Sequence, residues 1–460
     1  MMADRHIQIT RFRRFSTLAA ALFLVFIPAG WGCGGGEEPE RWNLVLITVD
    51  ALRADRLGCY GYQRACTPNI DGFAEGALRY EQAFTVSNAT LPSHATMLTG
   101  RYPHGHGVPR NGSPLPADVS VLAELLRDRG YATAAVVSAD ALASTMGLAR
   151  GFEAYDEALE TAGTNPGERR AEHTTDAAID RLEGYGEAEP FFLWVHFAGP
   201  RFPDQSPPPC DTIHGDGCRG PADGRMADRD ALQGPGPGPS VEDLQRMVDI
   251  YNGEVADLDH WLGRLLEALE RPGFRERTLV VITASRGESP TGDEKRFSHG
   301  RALRQASVGV PLIIRYPEAL LVPPGTVVRT VQTLDIFPTL LAAGGAAAPP
   351  GSEGTVLIPP PGCQEPAVGP EGYRPAFAEA SLPMETGPPD SIEWPNVGKA
   401  EMVVRYPWKL VRTSHGDQVE LFDLERDPLE QENVAARHPG TVDELRLLLR
   451  DWRTDARGTE

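Results

Sequence analysis

Between residues 88 and 108 the chain reads NATLPSHATMLTGRYPHGHGV, which places a hydroxyl, Thr90, close to three imidazoles, His94, His104 and His106. A threonine hydroxyl attacks an ester only when a base or a metal ion lowers its pKa. In one arrangement Thr90 is that nucleophile, with His94 beside it, at a helix start whose dipole favours the anion a nucleophile must become. In the other, Thr90 is a helix N-cap whose hydroxyl accepts a backbone N–H at the start of PSHATML, worth roughly 1 kcal/mol without any chemistry. His104 and His106 either line the same pocket or stand solvated on a loop.

Placing such groups is the work of the elements around them. The apolar run NLVLITV (43–49) ends at Asp50. It predicts a buried parallel strand that delivers a carboxylate at its carboxyl end, where α/β sheets build their sites. TPNIDGFAEGALRY and VSVLAELLRDRG carry helical spacing, and the second leads into the strand-like YATAAVVS. FFLWVHF and TLVVIT predict two further buried strands, and LQRMVDIYNGEVADLDHWLGRLLEALE a single long helix. The alternation predicts an α/β fold with a largely parallel central sheet flanked by helices. A Pro/Gly-rich insertion (199–240) interrupts this domain (41–346), and a second Pro/Gly-rich connection (347–375) follows it. Beyond, in 376–460, EMVVRYPWKLVRT, QVELFDL and TVDELRLLLRDW predict a small antiparallel sheet with a packed helix.

Composition bounds the partners. A net charge of −20 disfavours nucleic acid, whose binding needs excess Lys and Arg to neutralise phosphates. The first 32 residues combine arginines with the apolar run TLAAALFLVFIPA, long enough for a signal peptide and short for a membrane span. Cys33 follows, ahead of a glycine-rich linker (33–40), in a setting that resembles a bacterial lipoprotein cleavage site. The expectation is an exported protein held to the membrane of the cell envelope by a lipid anchor on Cys33. An oxidising compartment would permit Cys59 to pair with Cys66 and Cys210 with Cys218, leaving Cys363 over.

Five stretches, in order, resemble the sulfatase family of the alkaline phosphatase superfamily: NLVLITVDALRADRLGCYGY, TLPSHATMLTGRYPHGHGV, TLVVITASRGE with HGRALRQASVGVPLIIRYP, TLDIFPTLLAAGG, and KLVRTSHGDQVELFDLERDPLEQENVA. The resemblance implies an alkaline-phosphatase-like fold and a metal-dependent hydrolase of sulfuric or phosphoric esters. Sulfatases carry a cysteine or serine, oxidised to formylglycine, at the position matching Thr90. Threonine is not a substrate for that maturation, so no formylglycine is expected and phosphoryl chemistry is favoured over sulfatase turnover. His94 stands where sulfatases have arginine and threonine-type members often have histidine.

The resemblance further implies a divalent metal, zinc or calcium, but most of its ligands are replaced. Asp50 and His299 match the first and last ligand positions. Gly199 and Arg201 stand for one Asp–His pair, Ser285 and Arg286 for the other, Asn252 for an aspartate common in relatives, and Ala51 follows Asp50 where calcium-binding members have a second aspartate. Catalytic zinc needs at least three protein ligands and calcium six to eight oxygens. Glu254, Asp257, Glu288 or Asp293 could substitute, although solvation at the surface is the simpler role for each. Two readings stand side by side. In one, Thr90 attacks an ester with Asp50 and His299 holding a remaining metal. In the other, a metal-free pocket lined by Arg201 and Arg286 binds the sulfate or phosphate of a glycan or lipid headgroup without cleaving it, since guanidinium groups suit bidentate oxyanion binding.

Overall fold

The computed structural model describes residues 41–160, 167–186, 189–200, 240–288, 303–358, 374–380, 400–413 and 419–455. Strand β1 (Asn43–Val49) lies near the middle of an eight-stranded sheet ordered β4-β3-β5-β1-β6-β7-β2-β8. Its parallel neighbours are β5 (Phe191–Phe197) and β6 (Thr278–Ala284); every residue of both is buried. Such two-sided burial is why these runs are continuously apolar, and each fully buried Val, Leu, Ile or Phe contributes about 1.5–3 kcal/mol. Beyond β5 lie β3 (Ala132–Val136) and β4 (Ala154–Asp156), both parallel to it. On the other side β7 (Leu312–Arg315) pairs antiparallel with β6 and with β2 (Leu78–Phe84), while β8 (Gly325–Gln332) runs parallel to β2. The expected α/β architecture with a largely parallel central sheet is present.

Helices cover the sheet: α1 (Pro68–Glu75), α2 (Thr90–Thr99), the short α3 (Pro103–His106), α4 (Leu122–Arg127), α5 (Ala171–Glu183), and a long helix, Val241–Leu269. Ser240 caps the long helix, accepting from the Asp243 N–H while the Asp243 carboxylate reaches back to the Ser240 N–H. The expected C-terminal sheet is also present, as the antiparallel strands β9 (Ala376–Ala380), β10 (Ala400–Arg405), β11 (Trp408–Thr413) and β12 (Val419–Asp423). The helix Pro439–Asp455 packs Leu445, Leu449 and Trp452 against Val403, Leu410 and Leu421 of that sheet.

Local expectations needed two corrections. The helical reading of TPNIDGFAEGALRY stops at Glu75, because from Leu78 onward the chain is drawn into pairing with β7 and β8. EMVVRYPWKLVRT supplies two strands of the expected antiparallel sheet, with the turn at Tyr406 and Pro407. Cys59 and Cys66 are free thiols, so the permitted pairing is not made. Cys59 lies instead at the amino end of α1, where burial and the Asp71 carboxylate push its thiol up to about 12. Cys33, Cys210, Cys218 and Cys363 lie outside the described residues. No helix among the described residues is long and apolar enough to cross a membrane.

Candidate active site

The parallel register of β1 and β6 sets Val49 beside Ala284, so the two chains leave the sheet side by side as Asp50 and Ser285. Backbone bonds hold both exits: Ser285 N donates to Val49 O (3.0 Å) and Asp50 N to Phe197 O (2.9 Å). Ala51 then turns with φ of 59°, a left-handed conformation that costs a non-glycine residue roughly 1–2 kcal/mol. The Tyr251 hydroxyl of the long helix secures this turn, donating to Ala51 O at 2.7 Å and accepting from Arg53 N at 3.0 Å.

The Asp50 carboxylate is fully buried and completely engaged. Thr90 Oγ1 donates to its Oδ2 at 2.8 Å, and Ser285 Oγ donates to its Oδ1. Arg286 Nη2 stands 3.9 Å from Oδ2, while Nη1 of the same guanidinium donates to Glu288 Oε2 at 3.1 Å. Glu288 is thus a buried ion-pair partner, not the solvated acid that sequence suggested. Its carbonyl accepts from Arg53, which clasps Asp55 with two hydrogen bonds. Burial alone would push the Asp50 carboxyl up, but the charge of Arg286 above all, helped by the Ser285 hydroxyl, holds it well below the usual carboxylate range. A carboxylate so stabilised is a poor base for a threonine proton. The Thr90–Asp50 bond therefore stabilises the resting state rather than activating the hydroxyl.

Thr90 is also not the N-cap. Ala89 occupies that position, and Thr90 is the first helical residue with its hydroxyl turned to Asp50. His94 lies one turn further along α2 and contacts the Thr90 carbonyl, not its hydroxyl: Nδ1 is 2.7 Å from Thr90 O. Because a carbonyl only accepts, Nδ1 carries the proton and Nε2 accepts from the Thr48 hydroxyl at 3.0 Å. That hydroxyl has spent its proton, so it accepts from Trp194 Nε1 (3.0 Å) and from His196 Nδ1 (3.2 Å). His196 Nε2 is then an unprotonated buried nitrogen without a hydrogen-bond partner. Both rings are held neutral by burial: His94 is lowered, and His196 falls to about 3. Thr48, Trp194 and His196 escaped the sequence reading because they sit inside apolar strand runs. The alternation of side chains along β1 and β5 was the signal that could have grouped Thr48 with its neighbours.

His106 is buried, bonding Thr96 Oγ1 through Nε2 (3.1 Å) and accepting from Val108 N (3.1 Å). His104 faces the C-terminal part of the chain, with Nδ1 3.0 Å from Glu379 Oε1 and its ring against Tyr102 and Trp452. Neither ring is the solvated loop histidine of the alternative reading. Asn252 is buried and donates to the Tyr62 hydroxyl, while Asp257 accepts from Trp261 Nε1. Arg201, His299 and Asp293 lie outside the described residues.

Among the described residues no group of three or more His, Cys, Asp or Glu side chains is placed to hold a metal ion. The Asp50 carboxylate meets two hydroxyls and a guanidinium that is positive at any accessible pH, with the neutral imidazoles of His94 and His196 beyond them. That set falls short of zinc or calcium ligation, and Arg286 would repel a divalent ion bound at Asp50. The described residues do not fit the metal.

Comparison with known proteins gives this geometry its context. The sulfatase family model matches residues 42–346. The chain belongs to the sulfatase family. It is 27% identical to an ulvan-active sulfatase of Formosa agariphila over 87% of this chain and 78% of that one. It is 24% identical to an N-acetylglucosamine-6-O-sulfatase of Bacteroides thetaiotaomicron, over 86% and 83%. Among solved structures, a phosphonate monoester hydrolase of Agrobacterium radiobacter superposes with a TM-score of 0.73 at 25% identity, covering 90% of this chain and 96% of that one. A protein solved in complex with its substrate D-glucosamine-2-N,6-O-disulfate shares the fold, with a TM-score of 0.70 at 21% identity over 92% and 99%. Metal dependence is usual in the sulfatase family.

Proposed function

We propose that this sulfatase-family chain recognises an anionic ester without hydrolysing it efficiently, Arg286 having taken the place of the metal. The observation that carries this reading is the state of Asp50: both oxygens accept from hydroxyls of the chain, and its charge is met by Arg286. Thr90 keeps the nucleophile's position but lacks an activator, and the neutral His94 is committed to Thr48 and the Thr90 carbonyl. The ligand is the sulfate or phosphate group of a glycan or lipid headgroup, the class handled by the family. Asp50 and Glu288 together outweigh the single charge of Arg286, so recognition also requires Arg201, the second arginine at a ligand position. The basic and apolar amino-terminal stretch and Cys33 support export of this protein to the cell envelope and a lipid anchor there.

The test is metal content and ligand binding on the same purified chain. Mass spectrometry after dialysis against zinc, manganese and calcium should find well under one equivalent bound, and Ser285→Asp with Arg286→His should raise it towards one. Calorimetry with sulfate and phosphate should show binding that weakens at least tenfold in Arg201→Ala. One tightly bound metal in the unaltered chain, removed by Asp50→Ala, would overturn the replacement. Oxyanion affinity indifferent to both Arg201→Ala and Arg286→Ala would overturn the recognition.

A further inference from the structure

The backbone on either side of Arg286 is fixed by different parts of the chain. Ser285, which precedes it, is tied to the central sheet: its N–H donates to Val49 O at 3.0 Å and its carbonyl accepts from Thr85 Oγ1 at 2.7 Å. Gly287, which follows it, donates its N–H to Ser307 O at 2.9 Å, within the short helix Gln305–Val308. Only glycine permits this approach, because a Cβ at position 287 would collide with the Ala306 carbonyl oxygen. Val308 O accepts in turn from Thr85 N at 2.9 Å, so the short helix, the chain after β2 and the Arg286 segment form one bonded unit.

The start of that helix is gripped from the C-terminal sheet. Gln305 N donates to Glu430 Oε2 at 2.7 Å, and Glu430 Oε1 lies 2.6 Å from Nζ of Lys409 on β11. The two charged side chains are 1% and 0% exposed. Arg304, just before the helix, donates to Glu420 of β12 at 2.8 Å and lays its guanidinium over the Phe422 ring. A buried ion pair is weak evidence for stability, since apolar residues of similar volume often hold a core equally well. What this pair supplies beyond an apolar contact is an oriented acceptor for the Gln305 N–H. Glu430 presents it with φ of 56°, a left-handed conformation that persists in a non-glycine residue only where the surroundings over-determine it.

We infer that Lys409 and Glu430 are positioning residues for Arg286. Lys409 orients Glu430, Glu430 fixes the first residue of the short helix, and Ser307 of that helix fixes the peptide that follows Arg286. The C-terminal sheet thereby sets where the guanidinium stands beside Asp50. The purpose assigned to this path rests on the proposed oxyanion recognition; the path itself does not.

Two measurements on the full chain separate the path from its purpose. Native-state hydrogen exchange reads the path without any substitution: the amides of Gly287 and Gln305 should open as one unit with the bonded amides of β11. Free exchange at Gly287 and Gln305 while β11 stays protected overturns the proposal. Lys409→Met with Glu430→Leu removes the acceptor without stranding a charge. In that double variant exchange at both amides should quicken, and calorimetry should find inorganic sulfate and phosphate weakened by roughly tenfold, the weight of one hydrogen bond. Lys409→Met with Glu430→Gln restores an uncharged acceptor for Gln305 and should recover most of the protection and affinity, a split that a contact serving stability alone would not produce. Unchanged exchange and affinity in the folded Glu430→Leu double variant overturn the proposal, as does a Glu430→Gln double variant no better than it. An unaltered chain that binds neither anion overturns the recognition instead, and exchange at Gly287 still decides the path.

Discussion

Two buried arginines, one towards each end of β6, show how differently the same side chain can be satisfied by its surroundings. Arg286 stands between Asp50 and Glu288, both also buried, and its cluster is satisfied by groups of the chain itself. Arg315 has one carboxylate, Glu270, which is 38% exposed and shared with Arg275, and it keeps a donor edge unmatched. Burial alone therefore does not say how well an arginine is satisfied. The difference lies in whether the chain supplies acceptors for every donor.

The largest effect expected from this contrast is on stability. Arg286→Ala removes the guanidinium that meets two buried carboxylates, Asp50 and Glu288, and breaking a buried pair in this way typically costs about 3–5 kcal/mol. Arg315→Ala leaves behind only Glu270, which retains Arg275 and contact with solvent, and should cost about 1–2 kcal/mol. Urea unfolding of both variants at neutral pH measures the gap. Equal losses would erase the distinction between the two arginines.

The candidate active site should also respond to acid. His196 and, in the neighbouring α3, His106 are each lowered to about 3 by burial, against an unfolded value of about 6.5. A histidine whose folded pKa is depressed keeps the folded state neutral while the unfolded chain takes up a proton. Stability is thus full above about pH 6.5 and falls as the pH drops towards 3, by up to about 1.4 kcal/mol per pH unit for each ring. Asp50 acts in the same direction at lower pH: its contribution is present above the unfolded carboxylate value of about 3.9 and is lost below it. Unfolding midpoints at pH 7 and pH 5 should therefore differ, and His196→Asn should shrink the difference by about 2 kcal/mol. An unchanged difference in that variant would mean that the Thr48 network is hydrated rather than dry.

How much of this was legible beforehand depends on what each residue reports through its neighbours in sequence. The strands β1, β5 and β6 could be read from their apolar runs, because burial on both faces leaves no other residue type. The hairpin at Tyr406 and Pro407 was less distinct, since its two strands read as one strand-like stretch until the pairing of β10 with β11 separates them. Asp50, Thr90 and Arg286 stood out through their motifs, yet what they do to one another depends on the register of β1 against β6 and the docking of α2. Thr48, Trp194 and His196 come from two strands and become a set only when Thr48 falls opposite His196. Arg315 gave no local signal: its burial against the Phe73 ring depends on how α1 packs on the sheet.

The smallest effect, and the sharpest test of what Thr90 has become, is Thr90→Val. The substitution removes one hydrogen bond to a charged acceptor while Ser285 and Arg286 still hold Asp50. Such a bond contributes about 1.5 kcal/mol, so the unfolding free energy should fall by about that amount, and oxyanion binding should stay within about twofold because the arginines are untouched. A Thr90 that were still an activated nucleophile would behave differently. Its loss would abolish phosphodiester or sulfate-ester turnover measured with a chromogenic ester, whatever it did to stability. A resting-state donor predicts instead that Thr90→Val and the unaltered chain share the same low background rate, since the proton Thr90 would have to lose is directed at a carboxylate that Arg286 keeps from taking it.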